Sequence, residues 1–205
     1  MKYALTCLGT LMVVLLHAQT EPPVTTFWHF GLKADINYSS IEGNGMSSSY
    51  TAGFQAGVYA ERVLNNKWSI QPELLFSQNN TKRADISTFT SFYNTSGNQF
   101  AAEDVKLAYI SVPVLLKFTF NKYFQALAGP QYSVLVVDAE SLERSGDGKA
   151  FKRSEFSGNA GAQLTLGSVS VYGRYNLGFS NINNIDNRYT WHSRHIQIGL
   201  AVKIK

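Results

Sequence analysis

The chain alternates apolar and polar residues along most of its length beyond residue 28, and the alternation has period two, not the 3.6 of a helix. Phe30, Leu32, Ala34, Ile36 and Tyr38 share one face, with Gly31, Lys33, Asp35 and Asn37 on the other. The same pattern recurs over 50–61, 68–77, 110–118, 124–136, 156–166, 169–179 and 195–204. It predicts eight strands and no helix. Most of these runs exceed the nine or so residues that a tilted strand needs to cross a bilayer. Tight turns are predicted at Leu64-Asn65-Asn66-Lys67, Asn121-Lys122 and Gly167-Ser168, and longer loops over 39–48, 78–104, 138–153 and 180–190. Tight turns make antiparallel hairpins. An even number of strands, with short turns at one end and long loops at the other, is the layout of an outer-membrane barrel. The predicted fold class is therefore an all-β, eight-stranded, antiparallel up-and-down transmembrane β-barrel, with short periplasmic turns and longer extracellular loops.

Periodicity does not say which face points inward. In a soluble barrel the apolar face fills the interior, whereas in a membrane barrel it meets lipid. Two features favour lipid. The polar face combines glycines with Lys33, Asp35, Glu73, Lys117 and Arg174, which suits a narrow lumen where side chains must fit and pair. Aromatic residues also gather near strand ends, at Trp28, Tyr38, Tyr50, Trp68, Phe76, Tyr123, Phe124, Phe179 and Trp191, as in the interfacial girdles of membrane barrels. Pro72, Pro113 and Pro130 fall inside strands, where proline cannot donate to a ladder. Local bulges or irregular pairing are expected there.

Residues 1–18 read as a cleaved signal peptide. Lys2 supplies the positive start, Ala4–Leu16 is an apolar run of 13 residues, and Ala18 is a small residue at the cleavage position. The barrel domain is expected over 19–205. Cys7, the single cysteine, lies in the leader. A mature chain without cysteine has no disulfide, thiol catalysis or cysteine-based zinc site. Losing Lys2 lowers the 18 Lys and Arg to 17 against 14 Asp and Glu, net +3. That charge is too small and dispersed for a nucleic-acid binder. With 13 Phe, 11 Tyr and 3 Trp, the chain does not have the composition of a disordered one.

Several stretches resemble the small outer-membrane β-barrel domains labelled PorT-like. They are Phe30-Gly31-Leu32-Lys33-Ala34, Gly53-Phe54-Gln55-Ala56-Gly57, Trp68 through Gln78, Ile110 through Lys117, Ala128-Gly129-Pro130-Gln131 and Tyr172 through Gly178. The resemblance covers nearly all of the mature chain, and its most specific parts are Pro72-Glu73-Leu74 and Pro113-Val114-Leu115-Leu116-Lys117. It implies an eight-stranded barrel in the outer membrane of a diderm bacterium and a link to secretion, and it carries over no catalytic residues. Where such barrels often end in an aromatic residue, this chain ends Val202-Lys203-Ile204-Lys205.

No catalytic, metal-binding or cofactor-binding residue is predicted. His192 and His195 are three apart on a strand and so face opposite sides, while His29 belongs to the turn end. Ser193 beside His192 does not by itself make a hydrolase triad. The predicted lumen polar cluster is Lys33, Asp35, Glu73, Lys117 and Arg174, with Glu73, Lys117 and Arg174 at its centre and a structural role. Phe89, Phe92, Tyr93 and Phe100, in the longest loop, are candidates for a contact surface. The expected partners are outer-membrane lipids and a protein bound through the loops or turns. The expected function is structural, anchoring or partner-binding. The alternatives are a narrow pore and a soluble barrel holding an apolar ligand.

Overall fold

A computed structural model describes residues 28–44, 46–82, 104–138, 151–184 and 188–204. They form eight antiparallel strands: β1 (Trp28–Glu42), β2 (Thr51–Val63), β3 (Trp68–Lys82), β4 (Asp104–Thr119), β5 (Phe124–Asp138), β6 (Ser154–Leu166), β7 (Val169–Gly178) and β8 (His192–Lys203). Each pairs with its neighbours in chain order. The sheet closes through β1 and β8, in register from Gly31↔Lys203 to Glu42↔His192. Closure leaves no free sheet edge.

The faces are inverted relative to a soluble protein. Along β1, Lys33, Asp35, Asn37 and Ser39 are buried while Phe30, Leu32, Ile36 and Tyr38 are exposed. All the other strands repeat this, with Phe54, Leu74, Val112, Tyr132, Phe156, Val171 and Ile198 on the outer wall. A wall of this kind is stable only against an apolar solvent. The soluble alternative, with its apolar face turned inward, is not the arrangement found.

Two tight turns use the same local chemistry. In the β2–β3 turn, Asn65 Oδ1 accepts the backbone N–H groups of Lys67 and Trp68, each at 2.9 Å. In the β4–β5 turn, Asn121 Oδ1 accepts those of Tyr123 and Phe124, also at 2.9 Å. An asparagine side chain that binds its own backbone ahead is a strong turn former. The β6–β7 turn uses Gly167 at φ +66°, a left-handed conformation that glycine adopts without penalty.

The strand prolines do not make bulges. The β2–β3 pairing lapses between Tyr59↔Glu73 and Arg62↔Ile70, beside Pro72. The β3–β4 pairing lapses between Pro72↔Val114 and Leu75↔Ser111, beside Pro113, and the β4–β5 pairing between Pro113↔Gln131 and Leu116↔Ala128, beside Pro130. The register is the same on both sides of each gap. A strand residue aims its N–H at one neighbour only, so each proline costs pairing on one side. The irregularity in register lies elsewhere, between Ala108 and Tyr109, whose β5 partners are Val137 and Leu135. It leaves Val136 and Val137 both exposed on the outer wall.

Candidate functional site: the lumen

The barrel interior holds a charged network at mid-height. Lys33 Nζ donates to both Glu73 oxygens, at 2.9 and 3.0 Å. Arg174 Nη1 donates to Glu73 Oε2 at 2.9 Å, and Gln71 Nε2 to Oε1 at 2.7 Å. Three strands thus converge on one carboxylate that is 3% exposed. Tyr172 fills the space beside it. Its ring lies 4.1 Å from Lys33 Nζ and 4.9 Å from the Arg174 guanidinium carbon, centroid to atom, within cation–π range. Its hydroxyl donates to Asp35 Oδ2 at 2.5 Å, and Gln55 Nε2 donates to the same oxygen at 3.2 Å.

Small residues make room for this network. A methyl group added at Gly161 would stand 2.8 Å from Arg174 Cγ, and one at Gly199 would stand 2.4 Å from Asp35 Cβ. Both are too close for real side-chain atoms, and backbone carbonyls stand as near, Gly173 O at 2.2 Å from the first and Ala34 O at 2.4 Å from the second, so glycine lets the neighbouring strands approach where Arg174 and Asp35 leave the backbone.

Lys33, Glu73 and Arg174 are brought together, and Asp35 joins them through Tyr172. Lys117 is not part of this centre. It sits opposite Ser69, and Glu73 lies four residues farther along β3, about 13 Å away at the rise of a strand. Lys117 instead pairs at 3.1 Å with Glu61, whose other partner is the Ser69 hydroxyl at 2.6 Å. The stagger of the strands, invisible in a one-dimensional pattern, decides this pairing. Around Lys117 and Glu61 the lumen opens into a polar cavity of about 90 Å³ at the turn end, bordered also by His29, Gln125, Gln163 and Lys203.

The loop end is closed by apolar residues. Ile41, Met46, Leu107, Tyr109, Leu135, Phe151, Ile182 and Trp191 form one buried cluster. Phe151 and Trp191 meet at 5.4 Å between centroids, and Trp191 Nε1 donates to the Asn44 carbonyl at 3.1 Å. Trp191, expected in the outer girdle, is 0% exposed; the other eight girdle residues face outward. A signal for the cluster was present: Ile41, Leu107, Tyr109 and Leu135 are apolar residues at the loop end of the inward face of their strands.

Beneath this cluster, Ser193 donates to Glu155, and the Ser39 hydroxyl meets His195 Nδ1 at 3.0 Å. His195 is therefore a buried lumen residue rather than an interfacial one. A cavity of about 10 Å³, bordered by Ser39, Asn79, Glu155, Ser193 and His195, separates these groups from the cluster. That is about the room one water molecule needs, too little for a substrate. Phe89, Phe92, Tyr93 and Phe100, residues 139–150 of the 138–153 loop and residues 1–18 lie outside the described residues.

A family model described as outer membrane protein beta-barrel domain matches residues 17–184. No curated protein sequence matches the chain. Among solved structures, the fold is similar to Neisserial surface protein A, at 14% identity and a TM-score of 0.53 over 85% of this chain and 97% of that one. It is similar also to Ail of Yersinia pestis, solved with the heparin analogue sucrose octasulfate (13% identity, 86% and 99% coverage, TM-score 0.49). OprG of Pseudomonas aeruginosa gives 10% identity, 87% and 97% coverage and a TM-score of 0.48. At these identities the likeness is one of fold.

Proposed function

This chain belongs to the outer membrane protein β-barrel domain family, and from that membership we propose that it is a non-enzymatic barrel of the PorT-like kind, serving as an anchor or partner-binding element linked to secretion. Residues 1–18 direct export and are removed. The short turns face the periplasm and the long loops the exterior. Phe89, Phe92, Tyr93 and Phe100 offer the protein-contact surface on the longest loop.

The observation that carries the non-conducting part of this reading is the filled lumen. Lys33, Glu73, Arg174 and Tyr172 occupy mid-height, all nearly inaccessible to solvent, and the apolar cluster lies between them and the loop end. An eight-stranded barrel has an interior just wide enough for its own side chains. Purified protein in planar bilayers is expected to give no reproducible single-channel current. Defined current steps would favour the narrow-pore alternative. Envelope fractionation with gel migration before and after boiling tests the location: the protein is expected in the outer membrane with a boiling-dependent shift. Alanine replacement of the four loop aromatics is expected to abolish partner capture and leave that shift unchanged.

A further inference from the structure

The outer wall carries a groove of about 470 Å³ across the turn-side halves of β1, β2 and β3. Phe30, Leu32, Val58, Ala60, Leu74 and Ile204 line it, together with Pro72. Ala60 and Pro72 are its short side chains, set among longer ones, and the β2–β3 ladder lapses beside them. The volume is in the roughly 300–1,000 Å³ range of small-molecule sites.

The turn-side end of this groove is cationic and aromatic. Arg62 follows Ala60 by two residues on the same face of β2, about 7 Å on. It sits opposite Trp28 of β1, with its guanidinium carbon 5.7 Å from the indole centroid. Trp28 stacks on Phe30 at 6.4 Å. Lys67 is exposed in the adjoining turn, and Lys122 lies over Tyr123 at 4.8 Å in the next. Among the described residues of this end, Arg62, Lys67, Lys122 and Lys203 are exposed, while the one acid, Glu61, is taken up by Lys117 inside the lumen.

A long apolar groove that ends in uncompensated cations fits an amphiphile with an anionic head. We propose that it binds one anionic glycerophospholipid, with the phosphate at Arg62 beside Trp28 and an acyl chain lying along Ala60 and Pro72. A second copy of the chain fits less well, because a two-fold contact here sets the basic ends side by side. The assignment rests on the reading that the outer wall meets lipid, and it adds a preferred lipid to that reading.

The test uses the folded protein in detergent, given phosphatidylglycerol or phosphatidylcholine with the same acyl chains, and counts retained lipid by native mass spectrometry. One phosphatidylglycerol per barrel is expected at concentrations where phosphatidylcholine is lost. Arg62→Gln is expected to reduce that retention about fivefold, near the effect of one basic residue at an anionic membrane surface, and Arg62→Lys to restore most of it. Ala60→Phe fills the groove and is expected to abolish retention. Equal retention of the two lipids, retention unaffected by Ala60→Phe, or a dimer in place of a lipid adduct would each overturn the site. Gel migration before and after boiling is recorded for every variant. A wild-type chain without a shift would overturn the membrane-barrel reading itself, whereas a shifting barrel without lipid preference would overturn the lipid site alone.

Discussion

Glu73 and Arg174 are 101 residues apart in the chain and 2.9 Å apart in the lumen. The same carboxylate takes both donor contacts from Lys33, so one acid holds two buried cations. Three strands, β1, β3 and β7, are tied at one carboxylate inside the barrel.

That arrangement makes Glu73 the most sensitive polar residue of the lumen. Glu73→Gln keeps the volume and leaves Lys33 and Arg174 without their counter-charge. Breaking a buried pair on one side costs about 3–5 kcal/mol. The loss is expected in urea-unfolding midpoints of the protein refolded into lipid vesicles. Replacing Lys33, Glu73 and Arg174 together by apolar residues of similar size is expected to recover most of it.

Lys117 and Glu61 form a separate unit, so their energetics are expected to be independent of the centre. Lys117→Gln and Glu73→Gln should add to within about 0.5 kcal/mol, as distant sites do. Lys33→Gln and Glu73→Gln should instead couple by about 1 kcal/mol or more. A double-mutant cycle with Lys117 as large as that with Lys33 would contradict the staggered geometry.

Tyr172→Phe removes the hydroxyl that donates to Asp35. One donor to that oxygen then remains, Gln55 at 3.2 Å. A hydrogen bond to a charged group contributes about 1.5–3 kcal/mol, and a destabilisation of that size is expected. Asp35→Asn in the same background should then cost less than in the wild type.

Trp191 provides a test of the loop-end cluster. In single-tryptophan variants, Trp28 and Trp68 are expected to be quenched by lipids brominated on their acyl chains, and Trp191 to be insensitive to both these lipids and aqueous iodide. Trp191→Ala is expected to destabilise the barrel by about 3–5 kcal/mol, the range for a buried large aromatic.

The strands and the polarity of their faces were legible because a strand exposes alternate residues to two environments, and each environment selects its own residues. Asn65, Asn121 and Gly167 likewise marked their turns through local backbone chemistry. The partner of Lys117 and the place of Trp191 were not legible in that way. A period-two pattern states which face a residue is on and says nothing of its height in the barrel or of what stands across the lumen. Strand stagger brings Lys33 and Arg174 to Glu73 and leaves Lys117 to Glu61. The loop-end cluster depends on Phe151, Ile182 and Trp191, which come from connecting segments and fold back over the strands. The alternation along the chain determined by itself eight strands with one apolar and one polar face, and the charges and glycines of the polar face, with aromatics near strand ends, pointed the apolar face to lipid. Only closure of the sheet, with its fixed tilt and narrow bore, decided which charges meet and that apolar side chains seal one end.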